Sequence, residues 1–95
     1  MTKCYTMAWM SPEGKVSRDD VLGKLDTIAE IVNWRASDGA IFIVSEVEKA
    51  QPIADKIHDL IPEINFVLVP TSISSVWGWA EHDTWAFLRK REAAK

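Results

Sequence analysis

Glu81, His82 and Asp83 stand side by side near the C-terminus, the densest set of potential metal ligands in the chain. Metal-assisted hydrolysis needs carboxylates or imidazoles that converge on one ion. Consecutive helical residues point about 100° apart, so these three cannot all chelate the same ion. Asp83 and His82 are read instead as the cap of a last helix. His58 lies beside apolar Ile57 and between Asp55 and Asp59, which suits a solvent-facing residue that pairs locally when protonated. Cys4 is the single cysteine, has no histidine near it in sequence and falls in an apolar stretch. A buried structural thiol is expected there, not a nucleophile. The glycines are scattered singly at 14, 23, 39 and 78, so no loop has the form that cradles a phosphate. No catalytic residue, metal or cofactor is assigned.

Tryptophan is the unusual residue type, with five in 95 positions. Trp9 and Trp34 fall in strand-like segments, whereas Trp77, Trp79 and Trp85 crowd the tail. Large rings with one polar N–H suit a tail that closes over a sheet, and tryptophan is also enriched in interface hot spots. The candidate interaction surface is Trp77, Trp79, Trp34, Arg35 and His82. Base stacking fits poorly with the charge balance, because a formal net charge of −3 repels phosphate polyanions and anionic membranes. The one dense basic run, Arg89-Lys90-Arg91, sits where such residues complement a helix dipole.

At 47% hydrophobic and 26% charged, the composition is that of a globular domain and not of a disordered chain. A chain of this mass hides roughly 65% of its unfolded surface, about 10,000 Å², enough for an unaided core in one domain, residues 1–95. With one cysteine, no basic and apolar leader and no apolar run near 18 residues, a cytoplasmic location is expected, with no membrane.

Several elements must position these residues. Lys3 to Met10 reads as a strand with apolar residues on both faces, hence a central one, and Ser11-Pro12-Glu13-Gly14 breaks it. Ser17 is an N-cap with Asp20 placed to complete a capping box. Val21, Leu22, Leu25, Ile28, Ala29 and Val32 then recur at helical spacing, with Gly23 off the stripe. Val32 to Ala36 alternates as an edge strand, and Asp38-Gly39 is the pair that a type I′ hairpin turn requires before the central strand Ala40 to Val44. A second helix begins near 48–51, since Pro52 belongs in a first turn, and carries Ala50, Ile53, Ala54, Ile57, Leu60 and Ile61 on one face until Pro62 ends it. Ile64 to Val69 is expected as a buried strand closed by Pro70. Thr71 to Ala80 reads as a connection, and a last helix from His82 or Asp83 makes apolar contacts through Trp85, Leu88 and Phe87.

The order β-α-β-β-α-β plus a C-terminal helix is that of an α+β ferredoxin-like plait. If 33–39 were a plain loop, the result would be a three-stranded parallel βαβαβα sheet. In the plait both long helices cover one sheet face, yet the central strands are apolar on the other face too. Either the C-terminal helix with its tryptophans or a second copy of the protein must cover it, and a symmetric dimer is economical.

The opening strand with its aromatic end, the hairpin into AIFIVSE and the segment INFVLVPTS…WGWAEHDTWAFL resemble the small CRISPR-associated endoribonucleases and their SinR-like and VapD-like ferredoxin-fold relatives. The resemblance spans nearly the whole chain through element order and hydrophobic pattern. It implies a dimer with the sheets facing each other, and, for the nucleases, an aspartate at the end of the first strand. That strand ends here in Ala8-Trp9-Met10, with no acidic residue before Glu13, so on this resemblance the metal-binding carboxylate is missing. Two functions follow as expectations. One is a non-enzymatic protein acting through protein–protein association, as a homodimer or with a protein partner. The other is a metal-dependent endoribonuclease-like protein with displaced or shared acidic residues.

Overall fold

The computed structural model describes residues 2–37, 40–72 and 82–93. Along the chain run β1 (Lys3–Met10), a 3₁₀ turn (Pro12–Gly14), α1 (Arg18–Leu25), β2 (Ile31–Ser37), β3 (Ala40–Ser45), α2 (Ala50–Leu60), β4 (Asn65–Thr71) and α3 (His82–Ala93). The strands hydrogen-bond in the order β2-β3-β1-β4, and all three pairings are antiparallel. The described residues form a small α+β domain built on this four-stranded sheet and three helices. The parallel three-stranded alternative is thereby excluded, because Ile31–Ser37 is a strand that pairs antiparallel with β3. The Asp38-Gly39 turn lies outside the described residues, as does the connection at 73–81.

Local chemistry explains where α1 starts and stops. Ser17 Oγ accepts the Asp20 N–H at 3.1 Å and Asp20 Oδ2 accepts the Ser17 N–H at 3.2 Å, so two orphan donors of the first turn are satisfied reciprocally. After Leu25 the chain tightens. The N–H groups of Thr27 and Ile28 bond back three residues to Lys24 and Leu25, and Thr27 Oγ1 donates to the Lys24 carbonyl at 2.7 Å. The apolar stripe expected to continue helically to Val32 is therefore corrected. Ile28 is buried from the turn, Ala29 is exposed, and Val32 is 57% exposed where β2 carries a bulge between Ile31 and Asn33. The β-branched pair Ile31-Val32 favours extended backbone, and pairing with β3 overrides helical periodicity.

The main core lies between the sheet and the helices α1 and α2. Tyr5 and Met7 of β1 and Ile41 and Ile43 of β3 meet Val21, Leu25 and Ile28 on one side and Ile53, Ile57, Ile61 and Ile64 on the other. Full burial of an aliphatic or aromatic side chain of this size stabilises by about 1.5–3 kcal/mol. α2 starts and ends as its prolines predict, although Leu60 remains partly exposed. A second correction concerns β4. It runs through Pro70 to Thr71, and it alternates between half-buried and exposed residues, so it is not a buried strand. At the sheet edge, proline has no second ladder to interrupt.

Hydrogen bonds lock the end of the sheet where β1 begins. Ser45 Oγ donates to the Glu30 carbonyl at 2.6 Å and accepts the Val47 N–H at 3.0 Å, while Tyr5 Oη donates to the Val47 carbonyl at 2.5 Å. Glu30 Oε2 pairs with Lys56 Nζ, tying the loop after α1 to α2. That hydrogen bond from Lys56 holds the Glu30 carboxyl below its ordinary range. Its other oxygen, Oε1, is buried without a hydrogen-bond partner among the described residues.

Candidate functional site

The register assigns the residues of the second sheet face. Cys4, Thr6, Ala8 and Met10 of β1 stand opposite Thr71, Val69, Val67 and Asn65 of β4, and the first three stand opposite Val44, Phe42 and Ala40 of β3. Asn33 and Arg35 of β2 continue the face opposite Val44 and Phe42. Across β1, β3 and β4 this face carries no lysine, arginine, histidine, aspartate or glutamate.

α3 covers one part of it. Leu88 is buried against Cys4, and Phe42, Trp85 and Phe87 pack around the pair. Arg35 Nε donates to Thr84 Oγ1 at 3.4 Å, the long limit of a hydrogen bond, and Thr84 is buried. Trp85, Phe87 and Leu88 thus make the contacts expected of the last helix. Among the described residues nothing covers the remaining part. Met10 is 63%, Val67 61% and Val69 49% exposed, and Ala8 between them is exposed as well. Thr6 and Thr71, diagonal on the same face, join their hydroxyls at 2.5 Å and satisfy each other at the margin of the patch.

Both edges of the sheet are guarded. On β2 the Trp34 N–H bonds the Asn33 side chain at 2.9 Å, so it points away from β3. Antiparallel pairing alternates, so Ile43 turns its polar backbone groups toward β1, Tyr5 turns its own toward β3, and Pro70 faces outward from β4. The outer edge of β4 therefore has no donor at Pro70, and the edge of β2 is broken by its bulge and by the Asn33 side chain. These are the devices that keep sheet edges from recruiting further strands.

The sequence-derived candidates separate. Trp34 turns to the helical side, where it packs against the main core and its Nε1 donates to Asp26 Oδ1 at 2.7 Å. Arg35 is on the opposite face, under α3. His82 is the first residue of α3, while Trp77, Trp79 and Glu81 lie outside the described residues. The structure thus sets Trp34 and Arg35 on different faces. Met10, Val67 and Val69 were not singled out by sequence, because an apolar residue on a two-sided strand reads as core. For Val67 and Val69 the signal that could have found them was Pro70, since a proline within a strand marks a sheet edge.

Cys4 is buried and forms no disulfide, and His58 is exposed on α2. Among the described residues no three His, Cys, Asp or Glu side chains converge to hold a metal ion. Among the same residues no helix is long and apolar enough to cross a membrane. No family model, curated protein or solved structure matches the chain.

Proposed function

We propose that this domain is a ferredoxin-like plait that works by protein association and not by catalysis, with a second copy of itself as the partner. The observation that carries the reading is the bare, charge-free patch of Ala8, Met10, Val67 and Val69 on a sheet whose two edges are guarded. A chain of net charge −3 repels its own copy, so a self-docking face must be uncharged and apolar to be complementary to itself. Guarded edges direct the contact to the face and away from strand addition. The β-α-β-β-α-β order and the strand order β2-β3-β1-β4 support the plait. Packing with the sheets facing each other is also what the resemblance to the CRISPR-associated endoribonucleases implies. The cytoplasm is the proposed compartment, in keeping with a cysteine that forms no disulfide.

Light scattering across a concentration series tests the reading, together with incubation of RNA and DNA with magnesium or manganese. Dimer growth with concentration and intact nucleic acid are expected. A monomer at every concentration would remove the self-association claim, and metal-dependent cleavage abolished by an Asp→Ala substitution would establish the endoribonuclease alternative.

A further inference from the structure

The bare patch is small for the role given to it. Ala8, Met10, Val67 and Val69 leave on the order of 350 Å² uncovered, an ordinary largest patch for a monomer, whereas a standard interface takes ~800 Å² from each partner. With α3 docked, only weak self-association is available. The surface beneath α3 continues the same strands and is apolar on β1 and β3, with Arg35 of β2 at its margin. Cys4 lies on the face of Thr6, Ala8 and Met10, and Phe42 stands opposite Thr6.

α3 is also packed apart from the rest. Its cluster of Cys4, Leu88, Phe42, Trp85 and Phe87 lies on the opposite side of the sheet from the cluster that holds α1 and α2. One polar tie between α3 and the sheet is the 3.4 Å contact between Arg35 and Thr84. An element with its own small cluster can open locally while the main core stays closed.

We propose that α3 is a displaceable cover that regulates self-association: when it lifts, Cys4 and Phe42 join Ala8, Met10, Val67 and Val69 in one largely apolar face, with Arg35 at its margin, on which a second copy docks tightly. This rests on the self-association reading and names its control. A ligand or partner that holds α3 off the sheet therefore promotes the dimer, and stronger α3 docking opposes it, by reciprocal linkage.

Cys4 is the reporter, since α3 provides part of its cover and it is the only thiol in the chain. Its rate of reaction with a small aromatic disulfide is measured on dilute full-length protein, and the dimer dissociation constant is measured by sedimentation. Leu88→Ala is compared with wild type and with Ile53→Val, a substitution in the main core. Leu88→Ala is expected to speed labelling by about tenfold at unchanged main-core stability and to tighten the dimer by a similar factor, while Ile53→Val does neither. Thr84→Val, which removes the hydroxyl and keeps the shape of the side chain, moves both quantities the same way by about threefold. Labelling that is unchanged, or that rises equally in Leu88→Ala and Ile53→Val, overturns the displaceable cover. Faster labelling with the same dimer affinity as wild type overturns the regulation and leaves self-association standing. If neither wild type nor Leu88→Ala associates at any concentration, the self-association reading falls and the proposal falls with it.

Discussion

Tyr5 shows how much one polar atom contributes in this domain. Its ring is part of the main core, while its hydroxyl donates to the Val47 carbonyl and anchors the loop between β3 and α2. Tyr5→Phe keeps the ring and leaves that carbonyl without its donor, so a loss of about 1 kcal/mol is expected in urea unfolding. Burial, and secondly the Glu48 carboxylate, push the Tyr5 phenol above its ordinary 10.0. The folded state then holds the phenolic proton more tightly than the unfolded chain does. The corresponding stability is complete below the ordinary value and declines as the pH rises through the raised one. Tyr5 is the only tyrosine, so tyrosinate absorbance follows this titration directly. Titration at or below the ordinary value would contradict the burial.

Among the elements, α1 and β4 respond to substitutions of opposite purpose. Gly23 sits on the exposed side of α1, and a Cβ built there meets nothing within 4 Å. Gly23→Ala is expected to raise stability by up to ~1 kcal/mol, read as a higher midpoint in denaturant at an unchanged slope. Pro70→Val restores an outward N–H to the β4 edge. Species larger than a dimer should then appear in light scattering, whereas an unchanged size distribution would mean that Pro70 does not guard the edge. These elements also mark what sequence could and could not tell. β1 and the Ser17–Asp20 capping box were legible to the residue because their signals are local. The end of α1 was not, since Ile28 and Val32 extend the helical stripe while pairing with β3, a tertiary event, decides against it. The exposure of Val67 and Val69 was equally hidden, because apolar residues on both faces of a strand look the same whether the outer face is covered or bare. Burial of Cys4 was legible, but that α3 provides part of its cover was a matter of docking.

At the scale of the molecule, the sheet has one face closed by α1 and α2, a second face partly closed by α3, and two guarded edges. Among the described residues the part left over is uncharged and mostly apolar, with Asn65 at one end, and the central claim is that a second copy packs against it. Intermolecular cross-linking tests this most directly, with cysteine introduced at Val67 on the bare patch or, as a control, at exposed Asp59 on α2. Under mild oxidation at dimer-forming concentrations, Val67→Cys should give a disulfide-linked dimer rapidly while Asp59→Cys does not. If Val67→Cys cross-links no faster than Asp59→Cys, the bare face is not where two copies meet.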